Sequence, residues 1–151
     1  MFLRSLPVLA AGLLLAAAAR GEDAAPKDLE KLQGTWSTVS AKLNGEALPD
    51  ELVTGLKFVV QKDKVAVQGD ARVLKEFAQG TVKLDPSTTP RALDFKVGKG
   101  SRKGDVIEGI YRLKGDELTV CARLVGKERP AKFESPADSN VVLIVLKREN
   151  P

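Results

Sequence analysis

The side chains that could carry out chemistry are few, and histidine is not among them. The chain has 151 residues, with no His and a single Cys, Cys121. Without an imidazole, serine and cysteine triads, His-ligated zinc and His-bound haem are excluded. One cysteine also excludes a disulfide within the chain and a metal site built from several cysteines. Carboxylates and this one thiol are the remaining candidates for catalysis.

Carboxylate chemistry requires two acidic side chains held about 5–9.5 Å apart across a substrate. Nothing in the spacing of Asp94, Asp105 and Glu108 singles out such a pair. The chain also lacks an Asp-x-Asp-x-Asp-Gly calcium loop and a Gly-rich phosphate loop between a strand and a helix. Other aspartates stand in turn sequences, where the side chain bonds to local backbone: Asp63, Asp70, Asp85 and Asp116. We therefore expect no enzyme, no metal site and no cofactor.

Cys121 lies in an alternating segment, with Thr119 and Arg123 on its own face and apolar residues on the other. Proximity to Arg123 would lower the pKa of the thiol and make it reactive. A buried, unpaired cysteine would instead be inert, and this is the interpretation we favour. A disulfide to another chain is the third alternative.

Two groups of polar residues could bind anions. The first group is Tyr111, Arg112, Arg123 and Arg129. These residues could bind a carboxylate-bearing ligand. The alternative, which we favour, is that they form ion pairs with acidic residues on neighbouring strands, such as Glu108 or Glu117. The second group lies in or beside a Gly-rich loop. It could bind an anionic polymer or lipid surface, or simply be exposed to solvent. Its members are Lys96, Lys99, Arg102 and Lys103.

Residues 1–21 have the three parts of a secretory signal peptide. Arg4 precedes a largely apolar run of fourteen residues, 6–19, and small residues follow. We expect export to the periplasm, cell envelope or exterior, with cleavage after Ala19 or Gly21. An uncleaved anchor is the alternative, although the run is shorter than the roughly 20 residues that span a bilayer. Residues 22–28 are predicted to be a flexible leader.

The charge of the chain does not indicate a nucleic-acid partner. The formal net charge at pH 7 is +4, and removal of residues 1–21 would lower it to +2. Nucleic-acid-binding domains usually carry a clear basic surface instead. After cleavage, we expect no segment that spans a membrane.

From residue 29 onward the sequence has the pattern of an all-β domain. Short apolar runs recur at intervals of about 8–12 residues, between turns rich in Gly, Asp, Lys and Pro. After an opening strand around Trp36, the strand candidates are 56–61, 64–68, 73–77, 80–84, 93–97, 106–113, 117–124 and 141–146. Helical turns are expected only at 29–32 and 49–53. Eight or nine antiparallel strands in so small a domain must close into a barrel or form a sandwich.

Gly34 and Trp36 stand at the start of the first strand. The Trp side chain is large enough to cap one end of a barrel. A cation of the last strand, Arg148 or else Lys147, could lie across its ring and so tie the first strand to the last. The alternative is a core Trp without a special partner.

The segment Gly34-Thr35-Trp36, together with Arg148, resembles the Gly-x-Trp pattern that opens the barrel of lipocalins, a group of the calycins. Essentially the whole mature chain is similar to a family of uncharacterised secreted lipocalin-like domains that is expanded in planctomycetes. Lys114 departs from the pattern at a turn, where an acidic or neutral residue is expected. Further segments carry the likeness: Asn44 to Pro49, Lys83 to Pro86, Pro90 to Asp94, Gly109 to Tyr111, Gly115 to Cys121, Glu128 to Pro130 and Leu146 to Arg148.

The resemblance implies a single antiparallel up-and-down β-barrel of about eight strands, lipocalin-like, over residues 29–151. It implies no activity, because the family is uncharacterised. Barrel closure is assigned to Gly34, Trp36 and Arg148. The side chains predicted to line a ligand site inside the barrel are Phe58, Val60, Val67, Val82, Leu93, Phe95 and Tyr111.

Three functions remain open. A barrel of this size can hold one small apolar ligand in its interior. Alternatively, its own side chains fill the interior, and the protein serves as a structural module or binds another envelope protein. An enzyme that uses carboxylates or Cys121 is the least favoured hypothesis.

Overall fold

The computed structural model describes residues 21–149, with side chains from residue 25 onward. The predicted signal peptide therefore lies outside the described residues, apart from its last position. The helices are α1 (Gly21–Lys31), α2 (Asp50–Val53) and α3 (Ala71–Leu74). The strands are β1 (Gly34–Leu43), β2 (Glu46–Ala47), β3 (Lys57–Gln61), β4 (Lys64–Gln68), β5 (Gln79–Asp85), β6 (Arg91–Lys99), β7 (Val106–Lys114), β8 (Glu117–Arg123) and β9 (Val141–Arg148).

The sheet closes on itself through its first and last long strands. Consecutive strands from β3 to β9 pair antiparallel, β1 pairs with β3, and β9 returns to pair with β1. The two-residue β2 adds only a short hairpin to β1. The predicted all-β fold, an antiparallel barrel of eight strands, is confirmed.

Alternation of buried and exposed residues shows which face of each strand lines the barrel. In β5, for example, Gly80, Val82 and Leu84 are buried, whereas the residues between them are exposed. In β1 a bulge between Thr38 and Ser40 shifts the register with β9. An extra residue of this kind lets a strand bend and keep its inner face inward.

The two ends of the barrel are built differently. One end, called the α1 end, carries α1 and the turns at 62–63, 86–90 and 115–116. The other, called the loop end, carries α3, the β6–β7 turn and the long segment 124–140 between β8 and β9. No helix among residues 21–149 is both long and apolar enough to cross a membrane.

Helix α1 (Gly21–Lys31) includes positions 22–28, for which the sequence predicts a flexible leader. Asp28 is only 5% exposed. Its carboxylate accepts hydrogen bonds from Tyr111 and Arg91, two residues of the barrel. These long-range bonds could not be inferred from a short polar segment. The end of α1 is therefore bonded to the barrel through Asp28.

Residues 73–77, predicted as a weak strand, are not a strand. Helix α3 begins after Asp70, whose side chain accepts a 2.9 Å hydrogen bond from the backbone N–H of Arg72. This side chain satisfies one of the free N–H groups at the start of a helix. Residues 21–149 therefore contain three helices, one more than the one or two short helical turns expected. Helix α2 lies within the helical turn predicted at 49–53.

The barrel interior contains two apolar clusters, one toward each end. Phe95, Val120 and Ile144 pack against both clusters and so lie between them. The buried residues of the α1-end cluster are Leu32, Trp36, Val60, Val65, Val82, Leu84, Leu93, Tyr111, Leu118 and Leu146. Those of the loop-end cluster are Val97, Ile107, Ala122 and Val142.

Candidate functional site

The middle of the barrel is lined by apolar side chains that keep part of their surface accessible. Val120 lies opposite Ile144 in the β8–β9 ladder, and Phe95 lies on the inner face of β6 between its two neighbours. All three are only partly buried. On either side of this middle layer, Trp36 is 0% exposed and Val97 is 1% exposed. Phe95, Val120 and Ile144 thus keep accessible apolar surface between two almost fully buried side chains, Trp36 and Val97.

The strand registers place all seven predicted lining residues on the inner face of the barrel. Val60, Val67, Val82 and Leu93 are 7–8% exposed, and Phe58 and Phe95 are partly buried. Sequence reasoning did not include Val120 and Ile144 in the lining set. Residues 141–146 are apolar throughout, so alternation could not distinguish the inner face of β9.

Tyr111 is the predicted lining residue whose polar group is already engaged. Its hydroxyl donates a 2.6 Å hydrogen bond to Oδ2 of Asp28. The same oxygen accepts a 2.9 Å bond from Nη1 of Arg91. The pKa of Tyr111 is raised well above its ordinary value, mainly by burial and to a lesser extent by the hydrogen bond to Asp28. The side chain thus holds α1 against the barrel, and its hydroxyl is not free to meet a ligand.

Trp36 and Arg148 lie together at the α1 end. The guanidinium carbon of Arg148 is 4.3 Å from the centroid of the Trp36 ring, within the range of a cation–π contact. Arg148 also donates hydrogen bonds to the carbonyls of Lys31 and Gln33 and to Asp116. Trp36 Nε1 donates a 2.8 Å bond to the carbonyl of Leu32. These bonds connect the first strand, the last strand and the end of α1.

Gly34 is the third predicted closure residue, and its backbone conformation suits glycine. Its φ is +116°, which residues with a Cβ rarely adopt. A Cβ atom there would also lie 3.4 Å from Nη1 of Arg148. Glycine thus lets the chain pass from α1 into β1 beside the Arg148 side chain.

Thr38 places a polar atom against the apolar interior. It lies opposite Leu146 in the β1–β9 ladder, and Leu146 belongs to the α1-end cluster. The Thr38 Oγ1 atom is buried and has no hydrogen-bond partner among the described residues. A buried hydroxyl without a partner lowers stability.

Cys121 lies on the outer face of β8 and is covered by segment 124–140. It is 0% exposed and packs with Ile110 and Val141, with Phe133 of the covering segment beside them. Its Sγ lies 3.3 Å from the carbonyl oxygens of both Lys132 and Glu134, so its single S–H donates to one of them or is shared between the two. Burial raises the pKa of the thiol by more than Arg123 lowers it. The expected burial of Cys121 is confirmed, and this environment disfavours the nucleophilic thiolate.

The arginines considered as ligand contacts hold segment 124–140 instead. Arg123 donates to the carbonyls of Glu128 and Ser139, and Arg112 lies 4.6 Å from the centroid of the Phe133 ring. Arg129 donates 2.8 Å bonds to Asp94 and to the carbonyl of Gly109 and lies 3.8 Å from Glu108. They do not converge with Tyr111, which points into the barrel.

Comparison of the chain with protein-family models, curated proteins and solved structures finds no match. Among the side chains of residues 25–149, no three of Asp, Glu or Cys are grouped so as to hold a metal ion.

Proposed function

We propose that this protein is an exported lipocalin-like carrier that binds one small apolar molecule in the middle of its barrel. The observation that carries the proposal is the partial exposure of Phe95, Val120 and Ile144, which face inward between the almost fully buried Trp36 and Val97. Export is proposed from the signal-peptide pattern of residues 1–21.

The chemistry of the lining supports an apolar ligand rather than a charged one. Phe58, Phe95, Val120 and Ile144 offer only hydrocarbon surface. Burial of apolar surface contributes about 25 cal/mol per Å², whereas an unpaired charge in such surroundings costs several kcal/mol. An uncharged molecule with an aliphatic or aromatic body would therefore bind best.

The test compares two Val→Phe variants in binding the uncharged fluorescent probe N-phenyl-1-naphthylamine. Val120 faces the middle of the barrel, whereas Val39 is 58% exposed on β1. We expect saturable binding by the unmodified protein and by Val39→Phe. We expect at least a roughly tenfold loss of affinity in Val120→Phe, because the added ring occupies the ligand's space.

The same variants separate a carrier from a filled barrel. A larger side chain in an already packed core typically costs about 1–3 kcal/mol. If the unmodified protein does not bind the probe and Val120→Phe is destabilised by this amount relative to Val39→Phe, the carrier proposal is wrong. The barrel would then be filled by its own side chains. Equal probe affinity in both variants would also contradict the proposal.

A further inference from the structure

A cleft of about 390 Å³ opens at the α1 end of the barrel, separate from the mid-barrel layer. The residues Asp28 and Lys31 of α1 form one side. The opposite side comes from the barrel, with Arg91 of β6, Asp116 of the β7–β8 turn and Arg148 of β9. Helix α1 therefore leaves a concave, charged opening beside the closed end of the barrel.

The cleft contains more positive than negative groups. Asp28 pairs with Arg91 at 2.9 Å, and Asp116 pairs with Arg148 at 3.2 Å. The third cation, Lys31, forms no ion pair within the part of the chain that the structure describes. The five charged groups thus leave one positive charge unbalanced.

The two arginines play different parts. Arg148 lies against Trp36 and donates to two carbonyls, so its charge is fixed in position. Arg91 bonds to Asp28 through Nη1 alone, and its side chain is 50% exposed. Among groups of residues 25–149, Nη1 is the only side-chain nitrogen of Arg91 with a hydrogen-bond partner, which leaves Nε and Nη2 available. A guanidinium with two N–H groups available matches the paired oxygens of a carboxylate or phosphate.

We propose that this cleft binds a small anion through Arg91 and Lys31, with Arg148 supplying fixed positive charge. The ligand class is a compact molecule with one carboxylate or phosphate group. Leu113, which is partly buried and lines the cleft, gives a short apolar part of the ligand a surface to pack on. The cleft and the middle of the barrel lie on opposite sides of Trp36. The proposed anion site therefore does not depend on the carrier function.

The experiment titrates the isotope-labelled protein with inorganic phosphate, phenyl phosphate, acetate or benzoate at constant ionic strength, followed by backbone amide NMR. We expect saturable shifts at Lys31 and Asp116 with at least one oxyanion class. Saturation by the phosphates alone identifies a phosphate site, and saturation by the carboxylates alone identifies a carboxylate site. Shifts that rise linearly with all four anions overturn the proposal.

Three variants test the assignment of the residues. Lys31→Gln removes an exposed charge without a described partner, so the fold should be kept and affinity should fall roughly fivefold. Arg91→Gln should abolish saturation. Arg72→Gln is the matched control, because Arg72 is exposed and pairs with Asp70 at the loop end. The proposal is rejected if Lys31→Gln and Arg72→Gln bind the anion equally well.

Discussion

The hydroxyl of Tyr111 donates a 2.6 Å hydrogen bond to the carboxylate of Asp28, and both residues are at most 5% exposed. This bond connects β7 to α1, which lies 83 positions earlier in the chain. Arg91 bonds to the same carboxylate oxygen. A hydrogen bond to a charged group contributes about 1.5–3 kcal/mol, so α1 is held to the barrel by specific polar contacts as well as by apolar packing.

The position of Tyr111 predicts a loss of stability at high pH. Its pKa is raised in the folded protein from the ordinary value of 10.0. The folded state therefore favours the protonated phenol, and the resulting stability is complete below pH 10. It should be lost progressively as the pH rises above 10 toward the folded-state pKa. Because Tyr111 is the only tyrosine, near-ultraviolet absorbance of the phenolate follows this group alone.

The control for this titration is Tyr111→Phe. It should be less stable than the unmodified protein at neutral pH by about 2 kcal/mol, measured by urea denaturation, since Asp28 loses a buried donor. Its stability should also change less between neutral pH and the alkaline range. Titration of Tyr111 at its ordinary pKa in the folded protein would show that the hydroxyl is not held by Asp28.

Arg148→Gln should destabilise the protein by about 2 kcal/mol. The substitution removes the contact with the Trp36 ring and disrupts bonds to the carbonyls of Lys31 and Gln33. Urea denaturation followed by fluorescence of the single Trp measures both stability and the environment of the ring. Lys147→Gln, at the exposed neighbouring position, should remain within about 0.5 kcal/mol of the unmodified protein. Equal effects of the two substitutions would contradict a specific role for Arg148.

Cys121 should react with thiol reagents only after the structure opens. Its side chain is buried under segment 124–140, and burial raises the pKa of the thiol. We expect labelling by an aromatic disulfide reagent to be at least ~100-fold slower in the folded protein than in the chain unfolded by guanidinium. As the only cysteine, it gives a single signal. Rapid labelling under native conditions would mean that segment 124–140 does not cover β8 in solution.

Thr38→Val should stabilise the protein by about 1 kcal/mol. The two side chains have similar shapes, and the substitution removes a buried hydroxyl that has no partner among the described residues. Thr81→Val, on the exposed outer face of β5, controls for the general effect of valine on a strand. If Thr38→Val lowers the midpoint of thermal unfolding and Thr81→Val does not, the Thr38 hydroxyl forms a stabilising hydrogen bond when the protein is in solution.

The barrel was predictable because its strands follow simple alternation, as in residues 93–97, and because turns such as Lys114-Gly115-Asp116 separate them. The closeness of Trp36 and Arg148 follows from their places in the first and last strands, which a closed barrel brings side by side. The role of Asp28 was not predictable, since its partners Arg91 and Tyr111 are far away in sequence and its neighbours are small and polar. The packing of segment 124–140 on Cys121 was not predictable either, because this segment has no periodic pattern that shows which strands it contacts.

Pairing of β1 with β9 has a consequence for the order in which the protein acquires its structure. Ser37 hydrogen-bonds to Glu149, a residue 112 positions further along the chain. Contacts between such distant residues form slowly, because a long loop must be ordered before they can stabilise it. During synthesis, the strands that emerge first must wait for the C-terminal strand, and until it arrives the sheet has two incomplete edges. A chaperone that shields those edges would therefore matter most just before the last residues appear.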